Sequence, residues 1–309
     1  MTEKQKFDVV KKHNELRAQE GASDMEMMTW SESLAAAAAN WVSKCNRRHA
    51  LTPLPGTNFM EYGQQDSVIM RGRIDFANAV QKWYEKKDWY DYDTMQCSGG
   101  GKCHRYAQVV WATSVQIGCA YHYCDIETYD FDDAEFFACN YLPAGNEPGQ
   151  KPFKKGPACS QCRPGTGWCK NGLCNGQCLK AGKDCTCAAI CRNCGRLDLK
   201  TCKCSCPDGW HGVQCEERCE EKGPQCAEWK PHLCIHARYS DRIKKHCPVK
   251  CKLCKPNPNA KAGQCQPVYA PARPNSTDNN GCEHQQHYFT LTLLSNVILS
   301  LTISWKALF

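Results

Sequence analysis

The 27 cysteines of this 309-residue chain are spread unevenly: six fall in the first 150 residues and nineteen between residues 159 and 254. That distribution limits how the chain can fold. A stretch of about 150 residues can bury a core that sustains itself, whereas a module of about 35 to 60 residues buries too little and needs covalent or metal staples. Disulfides and zinc predict different spacing. Cys159 and Cys162, Cys191 and Cys194, and Cys251 and Cys254 have the CxxC spacing of zinc knuckles, but they sit among single cysteines that no tetrahedral site would use. The spacing therefore points to disulfides and to an oxidising compartment. The odd total leaves at least one thiol free or paired with another chain.

The net charge of +7 is spread along the chain and no nucleic-acid module is discernible. Residues 1–20 are polar and lack the apolar core of an export signal, so the chain reads as a mature form, a fragment, or one whose true start is missing.

Residues 4–20 fit a short amphipathic helix loosely, with Phe7, Val10, Leu16 and Ala18 among charges. Ser31 is a good N-cap for an Ala-rich helix from Leu34 to Trp41, Val42 and Cys45. A third helix is predicted over Asp75 to Lys86, with Phe76, Ala79, Val80 and Trp83 at spacings of three and four. Val109-Val110-Trp111, Gln116 to Tyr123 and Glu135 to Tyr141 read as strands. Helices first and strands later predict a layered α/β domain ending near Asn146. Residues 147–158, rich in Pro, Gly and Lys, read as a linker; Lys255 to Gly281 reads as a second one, with an acceptor sequon at Asn275.

Four stretches in the right order carry a family resemblance: His13-Asn14-Glu15-Leu16-Arg17; Cys45 with His49; Arg105-Tyr106-Ala107-Gln108-Val109-Val110-Trp111; and Phe137 to Asn146 (FACNYLPAGN). On these, residues 1–150 resemble the CAP superfamily (cysteine-rich secretory proteins, SCP domain). The resemblance implies a three-layer α-β-α sandwich, an α+β fold, with pairs Cys45–Cys124 and Cys119–Cys139, which leaves Cys97 and Cys103 to close a short loop. It also implies a cleft of two His and two acids able to hold a divalent metal. His49 and Glu61 fall at two of those positions. The other two are Lys86 and Arg105, with Glu85 and His104 each one residue off, and an offset of one turns a side chain about 100° around a helix. Two cations repel a dication. The expectation is a degenerate cleft, with no cofactor, in which Arg105 or Lys86 pairs with Glu61, or one that accepts an anion; if it holds metal after all, His49, Glu61, Glu85 and His104 are the ligands.

Residues 151–190 read as a cysteine-rich hinge. Cys204, Cys206, Gly212 and Cys215 have the C-x-C-x5-G-x2-C ending of an EGF-like module, taken as 191–216, with Cys206–Cys215 as its last pair and Cys191, Cys194 and Cys202 as its earlier members. No Asp/Asn pattern there argues for calcium. The six cysteines of residues 219–254 resemble a ShK-toxin-like (ShKT) module, which implies Cys219–Cys254, Cys226–Cys247 and Cys234–Cys251; Arg238-Tyr239 stands where channel-blocking members carry a basic–aromatic dyad that plugs a cation channel. Residues 282–309 form an apolar tail, short of a good membrane span, that suits a GPI-attachment signal and hence membrane attachment through the C-terminus.

No GxSxG elbow or HExxH helix occurs. The chain is thus expected to be a secreted or surface-anchored, non-enzymatic protein that binds an extracellular lipid, sterol or protein. A channel modulator is the alternative, and a metal-dependent hydrolase a minor one.

Overall fold

The helices and strands follow from where apolar residues must be hidden. In a computed structural model the described residues are 1–47, 51, 53–56, 61–98, 100–125, 133–163, 167–178, 185–236 and 240–270. The helices are α1 (Glu3–Ala18), α2 (Glu32–Val42), α3 (Phe76–Tyr84), α4 (His104–Val109), α5 (Gln225–Glu228) and α6 (Ser240–His246). In the first half the strands are β1 (Thr29–Trp30), β2 (Gly63–Met70), β3 (Gln116–Cys124) and β4 (Ala134–Leu142). They form one sheet in the order β1-β3-β4-β2.

β4 is buried along all but its last residue, so its apolar run is continuous rather than alternating. Its side chains still sort by the period of two. Phe136 and Ala138 join Ala38, Trp41 and Val42 of α2 in one cluster; Phe137, Cys139 and Tyr141 join Val9 and Leu16 of α1, Phe76, Val80 and Trp83 of α3, and Tyr106 and Val109 of α4 in another. The result is an α-β-α sandwich. At Gly118 of β3 an added Cβ would stand 2.2 Å from the Ala35 amide nitrogen and 2.4 Å from the Ser31 carbonyl oxygen, so only glycine lets α2 lie this close to the sheet.

The caps match the chemistry of the sequence. The side chain of Ser31 accepts from the Leu34 N–H, and that of Asp75 accepts from the Asn78 N–H. Two elements differ from the reading above. Val109 and the five residues before it are helical in α4, because Tyr106, Ala107, Val109 and Val110 all turn into the core, a need that overrides the strand preference of the β-branched pair. β2 was not anticipated: Gln64, Gln65, Asp66 and Ser67 give it no apolar alternation, and it is held by its antiparallel pairing with β4.

Cys45–Cys124 ties the end of α2 to β3, Cys119–Cys139 joins directly opposed residues of β3 and β4, and Cys97–Cys103 closes a short loop. The stretch read as a first linker packs tightly against this domain. Phe153 is 4% exposed in the main core. The Ala112 and Ser23 amides donate to the carbonyls of Pro152 and Lys154, and the Lys154 amide donates to Asp24.

Beyond it the chain is short strands and disulfides: β5 (Trp168–Lys170), β6 (Leu173–Cys174), β7 (Thr186–Cys187), β8 (Ile190–Cys191), β9 (Arg196–Asp198), β10 (Lys203–Ser205), β11 (Trp210–His211), β12 (Glu217–Arg218) and β13 (Val268–Tyr269). The hinge bonds are Cys159–Cys169, Cys162–Cys174 and Cys178–Cys185. Cys187–Cys202, Cys191–Cys204 and Cys206–Cys215 follow, and then Cys219–Cys254, Cys226–Cys247 and Cys234–Cys251. Cys194 does not belong with the EGF-like set: it bonds Cys265, and Cys187 takes its place as the partner of Cys202. The second stretch read as a linker is accordingly fastened as far as it is described, by that bond and by antiparallel pairing of β13 with β8. All three CxxC pairs are consumed in disulfides, which removes them as zinc ligands. Cys282 is the one cysteine outside these bonds and, with Asn275 and the apolar tail, lies outside the described residues. Among the described residues no helix is long and apolar enough to cross a membrane.

Candidate functional site

The buried motif residues on α1, α4 and β4 are scaffold. On α1, His13 is fully buried; its Nδ1 lies 2.9 Å from the Val9 carbonyl and its Nε2 lies 3.0 Å from the Tyr141 hydroxyl. A carbonyl only accepts, so Nδ1 carries the proton and Nε2 accepts from Tyr141. Burial holds the imidazole neutral, with a pKa pulled down to about 4. Asn14 accepts from the Met28 amide and donates to its carbonyl. Arg17, also fully buried, donates to the carbonyls of Glu26, Val109, Trp111, Ala112 and Ser114. Burial lowers it to about 9, so it stays charged at neutral pH. Gln108 donates to the Ser114 hydroxyl and accepts from the Gly145 amide, and Asn140 donates to the Leu34 carbonyl. Each of these groups satisfies buried polar backbone or side-chain atoms.

The open cleft lies between β2, the start of α3 and α4. It is a cavity of about 300 Å³ with Asp66, Asp75, Asn78, Lys82, Arg47 and Arg105 among its walls. Its centre is Asp66, whose carboxylate lies 2.6 Å from the Arg47 guanidinium and 3.6 Å from that of Arg105; Arg105 also donates to the Asp66 carbonyl. Gln65, next to it, donates to the Tyr141 hydroxyl.

The sequence-expected site is therefore redrawn. Arg105 does line the cleft, but its partner is Asp66, because β2 brings Asp66 to the mouth of α4. Glu61 is exposed and makes no ion pair among the described residues. Lys86 is also turned aside: the chain tightens into a 3-10 segment over Glu85–Trp89, and the Lys86 ammonium sits 4.7 Å from the Trp89 ring centroid. Glu85 and His104 are both exposed. His49, Arg238 and Tyr239 lie outside the described residues. Asp66 carries no sequence signal because no apolar alternation marks β2, and Arg47 none because it lies in a turn beyond α2.

The cleft donors do not suit a dication. Its central carboxylate already faces two guanidiniums, and the described residues bring no imidazole to it. The groups of His, Cys, Asp or Glu that do converge elsewhere, Cys159 with Cys162 and Cys174, and Glu221 with Cys226 and Cys247, contain disulfide sulfurs in place of thiolates.

A second carboxylate cluster is more enclosed. The Glu20 side chain is 3% exposed and accepts from the hydroxyls of Tyr84 and Tyr106, at 2.5 and 3.0 Å, and from the Lys87 ammonium at 3.0 Å. Burial and the carboxylate together push both phenols far up, so they stay protonated donors. The cluster ties α1 to α3 and α4.

Residues 10–141 match the family model described as CAP: Cysteine-rich secretory protein family. Peptidase inhibitor 16 of Homo sapiens is 35% identical over 177 residues, which cover 56% of this chain and 37% of that protein. GLIPR1-like protein 1 of Bos taurus is 35% identical over 170 residues, 52% of this chain and 67% of its own length. Cysteine-rich venom protein Mr30 of Conus marmoreus is 29% identical over 265 residues, 82% of each chain. The match spans only 34–37% of the peptidase inhibitor 16 proteins. A solved structure, that of Na-ASP-1, aligns with a TM-score of 0.47 at 23% identity, covering 56% of this chain and 47% of the other.

Proposed function

Because this chain belongs to the CAP, or cysteine-rich secretory protein, family, we propose that it is an extracellular, non-enzymatic binding protein whose sandwich presents its cleft and surface to a lipid, sterol or protein ligand. One observation carries the reading. Asp66, the one carboxylate at the centre of the cleft, is engaged by Arg47 and Arg105, which leaves it neither a general base nor a metal ligand. The thirteen disulfides require an oxidising compartment. Peptidase inhibitor 16 is named for inhibiting a peptidase, which supports a binding role.

The appended segments add further weak contacts and so raise avidity. An EGF-like unit is supported over residues 187–215 by six cysteines that close on one another in three bonds. A ShKT-like unit is supported over 219–254 in the same way. The test is to titrate the full oxidised chain with a fluorescent sterol and with sterol-containing vesicles, and in parallel to assay hydrolysis of a quenched casein substrate with and without a chelator. Saturable binding without hydrolysis is expected; chelator-sensitive hydrolysis would overturn the reading.

A further inference from the structure

The segment that joins the sandwich to the hinge builds a second concave site, unrelated to the cleft. Its floor is apolar: Trp111 and Phe153 are 5% and 4% exposed. One wall is Tyr92, whose hydroxyl donates to the Phe153 carbonyl at 2.6 Å and whose ring lies 5.2 Å from that of Phe153. Both ammoniums of Lys151 and Lys155 rest on that single ring, 4.4 and 4.1 Å from its centroid. Lys154 and Arg163 complete the lining of a cavity of about 630 Å³, a size that encloses a few sugar rings.

The charges in this groove do not cancel. Its one acid, Asp24, already accepts the Lys154 amide. Lys151 has an ion pair at 3.5 Å with Asp93, but Asp93 is 84% exposed and contributes little. The two ammoniums gather on one ring, over a backbone held by the Ala112 and Ser23 amides on the carbonyls of Pro152 and Lys154, and concentrate positive charge at the groove.

We propose that this groove binds a sulfated polysaccharide, with sulfates on Lys151, Lys155 and Arg163. Concavity decides against an anionic membrane as the occupant. Membrane-binding surfaces push apolar side chains outward into the lipid, whereas here Trp111 and Phe153 lie at the bottom of the groove.

The full chain, oxidatively folded, is titrated with a heparin-derived hexasaccharide by calorimetry at about 0.15 M salt, near physiological ionic strength. Three proteins are compared: wild type, Lys151→Gln/Lys155→Gln, and Lys4→Gln/Lys11→Gln, which removes equal charge from the exposed face of α1. Near-ultraviolet circular dichroism confirms that each is folded. Wild type binds saturably and more weakly as salt rises; the groove variant loses roughly tenfold in affinity, from two charge-assisted contacts, and the α1 variant less than twofold. Absence of binding by wild type, equal loss in both variants, or a preference for phosphatidylserine vesicles over the hexasaccharide would overturn the proposal.

Discussion

His13 and Glu26 are buried titratable groups whose effects on stability oppose one another. His13 has a folded pKa of about 4, below its ordinary 6.5, so its contribution is complete above about 6.5 and is lost as pH falls toward 4. Glu26, 7% exposed, is pushed by burial from 4.5 to about 7, so its contribution is present below about 4.5 and is lost as pH rises through 7. The wild-type stability profile should therefore be flat across this window. Glu26→Gln should remove the falling arm and gain roughly 2–3 kcal/mol on wild type between pH 4 and 8 in urea unfolding; parallel profiles would refute this. Arg17→Met leaves five carbonyl groups without their donor and should cost roughly 3–5 kcal/mol by the same measurement. At this scale the sequence makes the motif residues visible but not their roles. His13, Arg17 and Gln108 look like chemistry in a string of letters and prove to be buried braces. Asp66, the centre of the cleft, carries no local signal at all.

Among elements, the best-read were those with a cap and an apolar face. Ser31 caps where expected, Asp75 caps the helix it was read as beginning, and α3 buries Phe76, Ala79, Val80 and Trp83 as its spacing requires. β4 was legible because it is buried on both faces; β2 was not, since an edge strand held by pairing to β4 needs no hydrophobic period of its own. α4 shows tertiary packing overriding β-propensity. The pairing of β13 with β8 was beyond sequence reading too, because it depends on the Cys194–Cys265 bond between residues 71 apart. Cys194→Ser/Cys265→Ser should free this strand. Limited proteolysis should then cut within residues 256–267 in the double variant well before it does so in wild type, while the sandwich keeps its melting temperature. Equal cleavage rates would show that the strand is held without the bond.

For the whole molecule, the boundaries drawn from Pro, Gly and Lys content misplace the joints. Residues 147–158 look like a linker, yet Phe153 sits in the main core and the backbone around it is hydrogen-bonded to residues 21–24 and 112. Composition reports what a segment could do in isolation; it does not report that Tyr92 and Phe153 will meet. Phe153→Ala should therefore destabilise the sandwich itself by roughly 3–5 kcal/mol, seen as an earlier urea midpoint for loss of its near-ultraviolet signal. An unchanged midpoint would mean that the segment only lies against the domain. The same rigid joint is what sets Lys151 and Lys155 on one ring, so the basic groove and the misread linker have one cause.

We propose that this sandwich keeps the family scaffold while a carboxylate held by two arginines stands in its cleft in place of a metal site. Calorimetric zinc titration of the full oxidised chain, beside an Arg47→Gln/Arg105→His variant, puts this to the test. Wild type is expected to bind no zinc, and the variant, in which Asp66 is released from both guanidiniums and gains an imidazole beside it, to bind it. Tight zinc binding by wild type would contradict it and would return His49, Glu61, Glu85 and His104 to the role of ligands.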